Sequence, residues 1–300
     1  MTWILFAIGG YALLAVEAVI SKYLLAGRIK SWQIYTFYIG IFSAFSFVFA
    51  PFGLRWYGTF PFLISILSGL LFYFSLIFLY QSLLYSSASR VYILYGAVAT
   101  ITTTVLAKFL LGEIFTIREL LGIIFLLMGG VFISYKFYEA RFFSNYHRTI
   151  LAGFLVALSL VLLKYGYNEQ KFITGYVLSR AGLLIGALVS LAIPSFRKAV
   201  QNNLKKHGRK ENTKNFAGAA IAKTIAGIGT LFINLGISAG SVAVVGALVS
   251  VQYLLTFVLA LILSFYLRKI FVERFSWLNF LAKMTGIILV AFGTVLVIFK

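Results

Sequence analysis

The chain has 300 residues, of which 62% are hydrophobic and 11% charged, with a mean hydropathy of +1.00. Its apolar runs have no polar face, which excludes a soluble globular protein whose helices show one side to water. There is no cysteine or aspartate, the seven acidic residues are all glutamates, and the two histidines, His147 and His207, lie in polar connections. This excludes a disulfide framework, a thiol nucleophile, a Ser-His triad within a span, and a metal centre built from His and carboxylates.

Five apolar segments come first: about Trp3 to Leu25, Trp32 to Ala50, Phe60 to Ser82, Arg90 to Leu111 and Glu119 to Tyr135. At ~1.5 Å rise per residue each crosses a hydrocarbon core of roughly 30 Å, the fifth only just. The first is too long for a signal-peptide core, lacks a basic leader and is followed at once by another span, so it reads as a retained helix. Pro51 closes the second.

A polar break, KFYEARFFSNYHR, then runs from Lys136 to Arg148. Five more segments follow: Thr149 to Tyr167, Phe172 to Ile193, Phe216 to Ile237, Ser241 to Leu267 and Trp277 to Phe299. The two sets echo each other. Ser238-Ala239-Gly240-Ser241-Val242 answers Ser87-Ala88-Ser89-Arg90-Val91, Gly286 and Gly293 answer Gly122 and Gly129, and Lys164 in VALSLVLLKYGY answers Lys22 in AVEAVISKYLL. Pro194 likewise answers Pro51, and one lone carboxylate ends the fourth helix of each copy, Glu113 and Glu273. Five is odd, so successive copies enter the bilayer in opposite senses. The expected fold class is an all-α integral membrane protein with ten transmembrane helices as a 5+5 inverted repeat: residues 1–140, a connection over 141–148, and residues 149–300.

Ten spans as five plus five, a glutamate after the fourth span and its counterpart, and glycine-rich fifth helices (GIIFLLMGG and GIILVAFG) resemble the drug/metabolite transporter superfamily. Within it the chain looks most like the EamA-type transporters with two EamA domains. It departs from them where a proline often interrupts the fourth and ninth helices; here the fourth reads GAVATITTT, and the ninth has Gln252-Tyr253 where Gln-Pro is common. The resemblance implies a secondary transporter or exporter of a small metabolite or drug, working by alternating access, with no cofactor and no enzymatic activity. It also implies a central cavity lined by the first, third and fourth helices of each half, and a peripheral seventh helix. A lipid-linked flippase of the same fold is the alternative, and a membrane-embedded transferase a weaker one. There is no GxxxxGK[ST] loop, so the chain itself has no nucleotide site for an ATP-driven pump.

Polar residues inside spans are the candidates for substrate contact. Glu17 lies eight residues before the end of its span, ~12 Å along the axis, and Lys223 lies eight residues into the eighth, from the same side. They share a depth. An isolated charge at the bilayer centre costs on the order of 3 kcal/mol on insertion scales, so a Glu17–Lys223 pair is expected, as a fixed bridge between halves or as a substrate or proton site. Lys283 is a competing partner. Lys22, Lys108 and Lys164 lie near helix ends, where they snorkel. Arg180 is a secondary candidate, binding either an anionic substrate group or helix carbonyls and head groups.

The uncharged set is Tyr80 and Gln81 on the third helix, Tyr92, Tyr95 and Thr102 on the fourth, Asn234 on the eighth, and Gln252 and Tyr253 on the ninth. Tyrosines at such positions are commonly interface belt or packing, whereas an amide such as Gln252 must find a partner inside the protein. Glu113 and Glu273 read as structural, holding a helix end. The glycines of the fifth, eighth and tenth helices suit close helix approach, and weakly a homodimer.

Connections after odd-numbered spans hold 16 basic residues and those after even-numbered spans, with the C-terminus, hold 4. The positive-inside rule then puts both termini outside the cytoplasm, opposite to what the resemblance implies. The basic stretch Arg197 to Lys214 would lie on an anionic leaflet, so the net charge of +19 reads as topology and lipid contact, not nucleic-acid binding. The expected location is the cell inner membrane or plasma membrane.

Overall fold

The computed structural model describes residues 2–25, 32–85, 88–134, 146–206, 209–266 and 277–298. All regular structure among them is helical, in chain order α1 Thr2–Leu25, α2 Trp32–Phe42 continuing as a 3-10 segment Ser43–Phe52, α3 Thr59–Tyr85, α4 Ala88–Leu111, α5 Ile117–Ser134, α6 Tyr146–Glu169, α7 Phe172–Ser190, α8 Pro194–Lys206, α9 Arg209–Ala239, α10 Val242–Ala247, α11 Val249–Tyr266 and α12 Trp277–Ile298. The protein is a multi-pass, all-α membrane protein: among the described residues nine segments are long and apolar enough to cross a bilayer. Ten were expected. The one missing from the nine is α5, which is as apolar as the others but only 18 residues long. Even so, α5 packs along α12, which is among them. Glu273, expected to mirror Glu113, lies outside the described residues.

Backbone hydrogen bonds inside each helix satisfy the groups that lipid cannot, and only the ends and breaks need other partners. At the start of α5 the Thr116 and Glu119 side chains each accept from the other's backbone N–H, at 2.9 and 3.3 Å, as a Thr-x-x-Glu sequence allows. The second pass tightens into 3-10 geometry where Ser43 donates to the carbonyls of Gly40 and Arg180 and Ser46 donates to that of Ser43. Hydroxyls that engage local carbonyls compete with the α-helical ladder.

Two expectations are corrected, and one open point is answered. The ninth span, Ser241 to Leu267, was left with its relatives' proline hinge either absent or replaced; it divides at Leu248, whose N–H reaches the carbonyls of Val244 and Gly246 while Val251 donates back to Leu248. A local 3-10 turn thus breaks the helix without a proline. The stretch after Pro194 was expected to be a connection, but it forms α8, because Pro194 suits a first helical turn and Phe196 and Val200, four apart, bury against the second pass. The seventh helix was expected to be peripheral, yet α7 has 56% of its spanning window buried, the highest share among the nine.

Small residues explain the depth of α7. A Cβ on Gly69 of α3 would collide with the Ser179 carbonyl, and one on Gly182 with the Ile66 carbonyl. Backbone therefore lies on backbone, as close packing in lipid requires. Similar seams join α1 to α9, with Gly10 facing Gly229, and α5 to α12, with Gly122 facing Gly293 and Gly129 facing Gly286. Helix α6 packs on α3 and α4, and α11 packs on α1.

The start of α1, the end of α4 and the start of α10 meet at one end of the bundle, here the terminal face. There Glu113 accepts from the Ser241 hydroxyl at 2.6 Å and from the Val242 N–H at 3.0 Å, and Ser241 in turn accepts from the Val244 N–H. The carboxylate that ends the fourth pass thus caps the ninth, in keeping with the structural role expected of it. Lys164 donates to the last-turn carbonyl of Ser238 beside it, as a snorkelling lysine near a helix end would. We expect Glu113→Ala to cost about 1–3 kcal/mol, and Glu113→Gln less, because the amide oxygen still accepts one bond. Thermal unfolding of the purified protein measures this, and equal midpoints for wild type and Glu113→Ala would refute it.

Candidate functional site

The pair expected between the halves is present. Lys223 on α9 donates to Glu17 Oε1 on α1 at 2.7 Å, with the two side chains 16% and 13% exposed. The same ammonium donates to the Tyr35 hydroxyl on α2, also at 2.7 Å. One cation therefore ties α9 to two helices of the first half. A pair so little exposed holds only when both charges keep their hydrogen-bond partners.

Tyrosines extend the site inward. The ring of Tyr80 on α3 meets that of Tyr35 edge to face at 4.8 Å, and Tyr92 on α4 is within electrostatic reach of Tyr35, Tyr95 and Glu17. Below them Tyr95 faces Ser75 of α3 at 3.5 Å, and Tyr253 on α11 is within electrostatic reach of Tyr92, Tyr95 and Tyr11. Tyr11 donates to the Val245 carbonyl at 2.9 Å. Six phenols thus gather between the Glu17–Lys223 pair and the Val245 carbonyl of α10.

The sequence-derived set separates into two groups. Glu17, Lys223, Tyr80, Tyr92, Tyr95 and Tyr253 come together, while half-buried Gln81 follows Tyr80 on α3 and half-buried Gln252 precedes Tyr253 on α11. Thr102 lies two turns beyond Tyr95 on α4, half-buried. Asn234 lies elsewhere, nearer the terminal face, where its Oδ1 accepts from Tyr167 at 2.9 Å and its amide donates to the Thr230 carbonyl. Arg180 belongs with this second group, within electrostatic reach of Tyr167. Lys283, the competing partner, sits 4.2 Å from the centre of the Phe257 ring. Tyr35 and Tyr11 were missed, because each stands in an apolar or aromatic run whose inner face the sequence does not mark.

The two ends of the bundle are packed differently. Toward the terminal face Ile4, Ala7, Ala107, Leu163, Ile237 and Val242 to Val245 form a dense apolar core, sealed by the Glu113 cap. Around Tyr92 and Tyr95 on α4, and Gln252 to Phe257 on α11, the residues are only half-buried.

No family model and no curated protein matches the chain. A protein of known crystal structure has a similar fold: it is 14% identical, the alignment covers 98% of this chain and 96% of that one, and the TM-score is 0.69. At that identity the likeness speaks for the fold alone.

Proposed function

We propose that the chain is a secondary transporter, most simply an exporter, of a small metabolite or drug, built as ten passes in a 5+5 inverted repeat of the EamA type within the drug/metabolite transporter superfamily. The Glu17–Lys223–Tyr35 set at the junction of the halves carries this reading, because a polar site with bordering tyrosines deep in a bilayer is a substrate or ion site by default. The repeat is supported by the exchange of packing partners. The first pass lies on the eighth and the sixth on the third, the ninth lies on the first and the fourth on the sixth, and the fifth and tenth meet through matching glycines. Such exchange is what a two-fold axis in the membrane plane produces.

In this reading the dense core and the Glu113 cap close the terminal face, and substrate reaches the tyrosines from the opposite face. Alternation would then open the terminal end by unpacking α10 from α4. Flux of a metabolite panel from proteoliposomes tests the function. Panel-wide rates equal to those of empty vesicles would refute transport.

Orientation follows from charge, with both termini outside the cytoplasm and Arg197 to Lys214 inside. Arg197 and Lys198 are exposed on α8 in keeping with contact to anionic lipid. We expect a C-terminal alkaline phosphatase fusion to be active and a C-terminal green fluorescent protein fusion to be dark; the reverse pattern would overturn the assignment.

A further inference from the structure

Arg180 is a half-buried cation with no anion beside it among the described residues. Its guanidinium carbon lies 4.9 Å from the centre of the Tyr176 ring, and its Nε is buried with no hydrogen-bond partner. Among the described residues its guanidinium makes no hydrogen bond or ion pair. The described carboxylates are engaged or distant: Glu17 holds Lys223, Glu113 caps α10, Glu119 caps α5, and Glu169 is exposed at the end of α6. A guanidinium stays charged and carries five N–H donors, so half-burying it in a spanning helix with an aromatic face beside it and its Nε unpartnered is costly unless something completes it.

The surroundings fit an anion with an apolar body. Phe172, Tyr176 and Arg180 follow one another at four-residue spacing on one face of α7, and the Phe172 and Tyr176 rings stack at 5.6 Å. Phe172 also lines an open cleft of about 460 Å³ shared with Phe52, Gly53, Arg55, Lys171 and Ile173. Arg55 and Lys171 are exposed there, so two cations mark the mouth and a third lies two turns deeper along an aromatic stripe. Tyr167, already bonded to Asn234, lies near the guanidinium.

We propose that Arg180 is the anchor of an anion-binding site, separate from the Glu17–Lys223 pair, that takes a carboxylate or phosphate group entering past Arg55 and Lys171, with the ligand's apolar part on Phe172 and Tyr176. The group comes from a soluble amphipathic anion or from a lipid head group. The site does not depend on the chain being a transporter, since it is read from an unmet charge and tested by binding.

The test is thermal unfolding of the full chain in uncharged detergent at constant ionic strength, titrated separately with inorganic phosphate, octanoate and phosphatidylglycerol. A saturable rise in Tm is expected with at least one probe: phosphate or octanoate assigns a soluble anion, and phosphatidylglycerol alone assigns a head group. Arg180→Gln should weaken half-saturation about tenfold, as loss of a charge-assisted contact does, and Arg180→Lys should weaken it less. If Arg180→Gln does not fold, Arg55→Gln with Lys171→Gln, both at exposed positions, carries the test through a weaker response. No response of the wild type to any probe, or an unchanged response in Arg180→Gln or, failing that, in the double variant, overturns the site.

Discussion

Glu17→Gln and Lys223→Met are each expected to lower flux of a transported panel metabolite by about a hundredfold, and to destabilise the protein by on the order of 3–5 kcal/mol, because each leaves a buried partner uncompensated. The companion variants separate structure from function. An apolar pair, Glu17→Leu with Lys223→Met, removes both charges together and should return stability close to the wild type. If the pair only joins the halves, this double variant also transports. If it contacts the substrate or carries a proton, the double variant is stable and inactive, and the charge swap Glu17→Lys with Lys223→Glu is likewise folded but inactive. We expect the second pattern, because Tyr35, Tyr80 and Tyr92 gather around a bridge that needs no further neighbours to hold two helices together. Full flux in the stable double variant would reject the site while leaving the fold untouched.

Gly182→Leu and Gly69→Leu are expected to abolish recovery of folded protein. A first side-chain carbon at either position would already overlap a backbone carbonyl of the facing helix, and no rotamer change moves a backbone. Separating α3 from α7 would also undo the packing of Tyr73 on Gly186. The built-in comparison is Gly227→Ala on α9, where an added Cβ meets nothing within 4 Å. There the change should be neutral or stabilising by up to ~1 kcal/mol, since alanine has the higher helix propensity. Size-exclusion profiles and thermal midpoints measure both, and a monodisperse Gly182→Leu with a wild-type midpoint would show that the seam is not as tight as the structure has it.

Much of the helical layout was legible because lipid imposes a long apolar run on every pass, and such runs show in a single chain. The Glu17–Lys223 contact was legible for a related reason. Two opposite charges at equal depth in a low-dielectric layer have few alternatives to meeting, so counting residues from a helix end sufficed. The cap at Glu113 was readable only in part: a lone carboxylate at a helix end reads as structural, but nothing in the sequence names Ser241 and Val242 as its partners.

Arg180 shows where counting fails. Depth alone left open whether carbonyls or an anion would satisfy it, and only the packing of α7 against α2, α3 and the 3-10 segment left its Nε without an acceptor. Asn234 joined Tyr167 rather than the central tyrosines for a similar reason, since which side of a uniformly apolar helix faces inward depends on its neighbours. The sequence by itself determined that this protein lies in a membrane, where its long apolar helices run, and which of them carry charge, because these depend on composition and length. The tertiary structure alone decided which faces meet, that the ninth pass breaks at Leu248, and that Tyr35 completes the Glu17–Lys223 pair. In a chain with almost no polar face to orient each helix, rotation is set by glycine seams and shape complementarity between partners distant in sequence.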